Sequence, residues 1–313
     1  MQNAAPTSGP RQPHMDLGFS AAKHTGNILR LLESSHGAFF YNTVDSLATV
    51  WHAQSQSWKH SNGEWKATNP IQALKDGEAE APLSTPPSPQ TTPALCSVHF
   101  SDDRTALVKM QGHDGNYRYL QLLRVDGDAG AVSSGGMAML PNDGWVLVQE
   151  VVMTMKDEDV DSTASALSSL QASILNYLAI EHGGGEASYQ AAKSLFHPDS
   201  KLSSVGIDDI NASPTQWTAP VGSLVEIPLS AYLEGVKSQS PHSELAKSQD
   251  AIINIDFSTG TNAAAAVVRV GNGAQTMVFE DHLLFGRTTS GSASDKWCIL
   301  SKTFSSQAWP HSH

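Results

Sequence analysis

The chain has 313 residues, 40% hydrophobic and only 16% charged, with a formal net charge of −12. That acidity excludes sequence-independent binding to nucleic acid, which needs a basic surface to release counterions, and docking on anionic membranes; no run of Lys and Arg offsets it. No stretch approaches the roughly 18–20 apolar residues that span a bilayer. The N-terminal MQNAAPTSGPRQPHMDLGF lacks the apolar core of a secretion signal, so a cytoplasmic location is expected.

In chain order, residues 1–16 read as a flexible tail, or as the remnant of a removed transit peptide. Residues 17–44 hold a helix, with Ile28, Leu31, Leu32 and then Phe39 and Phe40 on one stripe that Gly37 interrupts. A second short helix is expected over Asn42–Trp51. Ser57–Lys66 reads as a hairpin turning at Asn62-Gly63, and Asn69–Gly77 as a short helix with Pro70 in its first turn. Residues 78–93, rich in Pro, Ser and Thr, are a surface loop. Strands follow, and Tyr117–Val125 pairs with Asn142–Val151. Cys96 and Cys298, the two cysteines, fall on different strands. That pattern predicts buried free thiols and a reducing compartment.

Residues 156–163 (KDEDVDST) read as a linker, with Ser162 or Thr163 near the next N-cap. Ala166–His182 is a helix carrying Leu167, Leu170, Ile174 and Leu178 on one face, and Gly183-Gly184-Gly185 ends it. Ser188–Phe196 and Leu229–Gln239 are two more helices, with a strand and loop over Leu202–Trp217 between them. Ile252–Phe304 holds the last strands. Within it, Lys296–Phe304 alternates Trp297, Ile299, Ser301 and Thr303 against Cys298, Leu300, Lys302 and Phe304, the pattern of a half-buried strand.

The pattern occurs twice. VHFSDDRTALVKM (Val98–Met110) lies on IDFSTGTNAAAAV (Ile255–Val267), and Trp51–His52 lies on Phe196–His197. These anchors recur in the same order, roughly 150 residues apart, the size of a small domain. A duplication follows: a first unit over 17–155 and a second over 164–310. Helices first and strands after make each unit α+β, its helices on one face of a curved antiparallel sheet.

LFHPDSKL (Leu195–Leu202), SAYLEGVKS (Ser230–Ser238), FEDHLLF (Phe279–Phe285) and DKWCILSKTF (Asp295–Phe304) carry a resemblance. Over Ala164–Phe304 the second unit resembles the nuclear-transport-factor-2-like superfamily, in its SnoaL-like or putative lumazine-binding branch. The first unit matches in outline, through Trp51–His52 and NDGWVLVQEV. The resemblance implies two cone-shaped units paired through the outer faces of their sheets, an intramolecular pseudo-dimer in a chain that can be monomeric. The superfamily contains isomerases, dehydratases, cyclases and hydrolases beside pure binding and assembly domains, so it implies no single reaction.

Four residues of the second unit are candidates for chemistry. His197 and Asp199 follow its second helix, where a His or carboxylate of this fold can face the cone as general base; the alternative is a turn that Asp199 caps. Asp281 and His282 are neighbours on one strand and point to opposite faces. A carboxyl set with Phe279 and Leu283 is desolvated and suited to acid/base work. Leu120 and Gln121 are the expected first-unit counterparts of Asp281 and His282. Tyr177 supplies a phenolic donor to the same cavity, or packs with its hydroxyl at the surface. Tyr41, Tyr117, Tyr119, Trp51, Trp58 and Trp65 read as core.

Thirteen histidines show no metal-binding spacing inside the folded region, and no phosphate-binding glycine loop or Ser–His–Asp set is present. No metal or cofactor is therefore expected. The expected function is non-catalytic: holding a small apolar molecule or a protein partner. The alternative is a cofactor-independent lyase or isomerase using His197 or Asp199 as base and Asp281 and Tyr177 as donors.

Overall fold

The computed structural model describes residues 21–32, 50–77, 94–112, 116–125, 144–153, 160–205, 223–257, 262–272, 277–288 and 296–308. Of the helix expected over Asn42–Trp51, residues 42–49 lie outside them and Trp51 instead begins a strand; the loop at 78–93 and the turn at 289–295 also lie outside. The first unit contains α1 (21–32), β1 (Trp51–Ser61), β2 (Glu64–Thr68), α2 (Pro70–Lys75), β3 (Ala94–Phe100), β4 (Thr105–Gln111), β5 (Tyr117–Arg124) and β6 (Trp145–Val152). The second contains α3 (Val160–Gly183), α4 (Gly185–Leu195), β7 (Phe196–Val205), β8 (Leu224–Pro228), α5 (Leu229–Ser238), α6 (Glu244–Lys247), β9 (Ala251–Phe257), β10 (Ala263–Asn272), β11 (Met277–Thr288) and β12 (Lys296–Ala308).

Local chemistry sets the ends of these elements. Asn62 and Gly63 have φ of 53° and 86°, the pair of positive values that a tight hairpin between β1 and β2 demands. Asn69 caps α2 by accepting from the Gln72 amide at 2.8 Å, and Pro70 loses nothing at a first-turn position whose N–H has no helical partner. Helix α3 starts at Val160, inside the stretch expected to be linker, and ends at Gly183, before Gly184. Gly184 has φ of 68°, and a Cβ there would lie 2.3 Å from the Gln239 carbonyl oxygen.

Each unit forms one six-stranded sheet. The strand orders are β2-β1-β6-β5-β4-β3 and β8-β7-β12-β11-β10-β9, the same order offset by one unit. In both, the first strand pairs parallel with the last and the other pairings are antiparallel. Even the irregularities repeat: the ladder slips between Gln121 and Leu122 in one unit and between Leu284 and Phe285 in the other. The chain is thus a tandem duplication, α+β in each half.

On the inner face of the second sheet, α3, α4 and α5 bury Leu170, Ile174, Leu195, Phe196, Leu233, Val236, Leu283, Phe285, Trp297 and Ile299. In the first unit, Ile28 and Leu31 of α1 and Ile71 of α2 pack on Trp51, Val108, Leu120, Leu122, Trp145 and Leu147. One tryptophan on each last strand holds the first helix. Trp297 Nε1 donates to the Ala166 carbonyl at 3.0 Å, and Trp145 Nε1 to His24 Nδ1 at 3.3 Å. The outer faces meet each other: Trp58, Trp65, Leu107, Tyr119 and Val151 pack with Ala263, Ala265, Val267, Leu284, Cys298 and Leu300. The alanines of β10 leave room for that approach. Trp51, Trp58, Trp65 and Tyr119 are core as expected. Cys298 is buried, but Cys96 is exposed; it sits on β3, the edge of its sheet, where no further strand covers the side chain.

A pair of contacts shows two-fold symmetry across these faces. Gln56 Nε2 donates to the Asp199 carbonyl at 3.2 Å, and Lys201 Nζ to the Gln54 carbonyl at 2.8 Å. The strand registers make Gln56 equivalent to Lys201 and hence Gln54 to Asp199. The same bond is therefore made twice with the units exchanged, as in an isologous interface.

Candidate functional site

Tyr177 on α3 and Asp281 on β11 meet inside the second cone. Tyr177 is fully buried and its hydroxyl donates to Asp281 Oδ2 at 2.6 Å; it does not reach the surface. Lys302 on β12 joins them. Its Nζ donates to the Tyr177 oxygen at 2.5 Å and lies 3.1 Å from Glu181 Oε1 and 3.2 Å from Asp281 Oδ2. Tyr232 on α5 closes the group by donating to Glu181 Oε1 at 2.6 Å. The ammonium also lies 5.1–5.4 Å from the ring centres of Tyr177, Tyr232 and Phe304, within range of a cation–π attraction. Asp281 is 1% exposed, and its second oxygen, Oδ1, has no hydrogen-bond partner.

Burial raises the Asp281 pKa to about 6, with Lys302 pulling it down and Glu181 pushing it back up. Burial also acts most strongly against ionised Glu181, but Lys302 and the hydrogen bonds from Tyr232 and Tyr177 together outweigh it and hold that carboxyl below its usual range. Lys302 itself is desolvated, yet the two carboxylates keep its pKa above the ordinary lysine value. Burial, followed by the neighbouring carboxylates, pushes both tyrosines well up, so their hydroxyls remain donors.

His197 and Asp199 stand elsewhere. The His197 ring packs edge-on against Trp58 of the first unit, 4.9 Å between ring centres, and Asp199 is largely exposed. Phe196 takes the inner face of β7, so its neighbour His197 points outward to the other unit. The expected convergence of four residues is therefore a convergence of two, Tyr177 and Asp281. His282 also points outward, to Ser101 of the first unit.

Lys302, Glu181 and Tyr232 escape a reading of the sequence. Strict alternation along β12 groups Lys302 with Cys298 and Leu300, on the face away from Ile299. The ladder slip places Leu283 opposite Lys302 and Phe285 opposite Ile299, so Lys302 turns inward. A bulge reverses the side-chain parity beyond it. The registers also correct the expected counterparts: Leu120 lies opposite Glu150 as Leu283 lies opposite Lys302. Asp281 and Lys302 therefore correspond to Arg118 and Glu150, which form their own ion pair at 2.7 Å. The two units carry the same pair with its charges exchanged.

Helices over a bent sheet whose first and last strands run parallel thus occur twice in tandem. Residues 166–305 match a family model described as "Putative lumazine-binding", the span of the second unit. Similar solved structures include a protein of unknown function from Methylobacillus flagellatus, 21% identical, covering 50% of this chain and 100% of its own, with a TM-score of 0.32. Others come from Shewanella baltica, 16% identical over 48% of this chain and 98% of its own, TM-score 0.35, and Silicibacter pomeroyi, 15% identical over 46% and 98%, TM-score 0.33. Their descriptions call all three nuclear-transport-factor-2-like. No curated protein matches the sequence. Among the described residues, no helix is long and apolar enough to cross a membrane.

Proposed function

We propose that the second unit is a ligand-binding domain whose cone receives a small, flat molecule bearing a ring N–H, held by Asp281. The observation that carries this is Asp281 Oδ1, buried and unpartnered while Oδ2 is fully engaged by Tyr177 and Lys302. A buried carboxylate oxygen without a donor is costly, and a ligand N–H satisfies it. Phe196, Tyr232, Phe279 and Phe304 supply aromatic surface around the group, which suits a planar ring. The family description points to the same chemistry, since lumazine is a flat bicyclic molecule with ring N–H donors. The outer sheet faces cover each other, so the assembly reading would have to use other surfaces. The lyase or isomerase reading keeps Asp281 and Tyr177 but not a base from His197 or Asp199.

The test is a titration of the full chain with lumazine, followed by quenching of the ligand's fluorescence. Saturable binding is expected, weakened about 10- to 100-fold in Asp281→Asn, the range for one hydrogen bond to a charged group. Absence of binding, or equal binding by the two proteins, overturns the proposal.

A further inference from the structure

Three metal-ligating side chains meet where the two units touch. His99 comes from β3 of the first unit; Glu280 and His282 come from β11 of the second, two positions apart and so on one face of the strand. One donor atom from each lies within 4.8 Å of the other two. His99 Nε2 is 3.0 Å from Glu280 Oε1, and the two imidazoles lie edge to face with centres 5.5 Å apart. His282 is completely buried. Its Nε2 is 2.5 Å from Ser101 Oγ, while its Nδ1 has no partner. Arg269 Nη2 stands 3.8 Å from the other Glu280 oxygen. His99 also lines a cleft of about 130 Å³ between the units, with Lys109, Tyr119, Asn254 and Asp256.

Two imidazoles and one carboxylate are the donors that borderline divalent ions prefer, and three protein ligands around Zn²⁺ leave one position for water or a small anion. We propose that His99, Glu280 and His282 form a Zn²⁺-type site that joins the two units, its remaining position served from the cleft that His99 lines. Ser101 orients His282 from outside the ligand set, the usual arrangement around a ligating histidine. The site is separate from the Asp281 network, which faces the other side of β11.

The experiment uses the full chain carrying His311→Ala and His313→Ala, which removes the close histidine pair at the end of the sequence. After equilibration with Zn²⁺ and exhaustive dialysis, about one metal equivalent per chain is expected. It should be lost in His99→Ala and in Glu280→Gln, and Co²⁺ should show visible bands of a low-symmetry, four-coordinate site. Zn²⁺ should raise the melting temperature of the parent protein and leave that of His99→Ala unchanged. His99 is partly exposed, so its removal spares the core; the Glu280→Gln arm tests the site without creating a cavity. No retained metal, or equal metal content in the parent and both variants, overturns the proposal.

Discussion

Lys302 shows how much one side chain can hold. Among the described residues, its ammonium is the cation in contact with both Asp281 and Glu181, so removing it leaves two buried carboxylates without compensation. Breaking a buried pair in this way costs about 3–5 kcal/mol. Lys302→Ala should therefore lower unfolding stability by that amount in urea, while Lys302→Met with Asp281→Asn and Glu181→Gln should restore most of it. A loss below 1 kcal/mol for Lys302→Ala would show that the carboxylates find water instead. His52 supplies a pH dependence. Burial, with Lys201 nearby, lowers its pKa to about 4 from the ordinary 6.5. Between these values the unfolded chain binds more protons than the folded one, so stability rises with pH there. The His52 contribution is complete above about pH 6.5 and is lost as the pH falls through about 4. His52→Gln should flatten the slope of melting temperature against pH in that window, and an unchanged slope would exclude His52 as its source.

At the scale of elements, the hairpin of β11 and β12 carries both faces of the second unit. Its ladder slip sends Lys302 inward, and beyond that slip Gly286 meets the first unit. Trp65 donates from Nε1 to the Arg287 carbonyl at 3.2 Å and covers Gly286 so closely that a Cβ there would lie 2.4–2.8 Å from the indole. Overpacking of this kind costs about 1–3 kcal/mol. Gly286→Ala should destabilise the protein by that amount in urea unfolding, and Gly286→Ala combined with Trp65→Leu should recover part of it. If the double variant is no more stable than the single one, the contact with Trp65 is not the cause.

At the scale of the molecule, the two sheets bury Trp58, Tyr119, Leu284 and Leu300 against each other, with polar links at the edges. Lys109 Nζ and Tyr119 Oη both reach Asp256 Oδ1, at 2.6 and 2.7 Å, and Gln121 Nε2 donates to the His282 carbonyl at 2.7 Å. A chain of residues 160–308 alone would expose its half of this surface, and an apolar patch of that kind favours association. Sedimentation should show it as a dimer or larger species, and the full chain as a monomer. A stable monomer of the second unit would mean that the faces are held together by the tether and not by their chemistry.

The sequence by itself determined the duplication, the α+β class and the short-range features. Asn62-Gly63, the Asn69 cap, the glycines after α3 and the alternating strands act through neighbours in the chain, so composition and period reveal them. It also set Asp281 on the same face as Phe279 and Leu283, because alternation along that strand is intact; the packing of the helices decided that this face is the inner one. Tertiary structure decided the rest. Lys302 moved inward through a slip in pairing that no local period records. His197 and His282 turned to the other unit because both outer faces are buried. Tyr177, Glu181 and Tyr232 meet Lys302 from helices far from it in sequence. The His99, Glu280 and His282 cluster joins residues 181 and more positions apart, and no ligand spacing along the chain can announce it. Local chemistry sets which elements form; the register between strands and the packing of one sheet on another set which side chains meet.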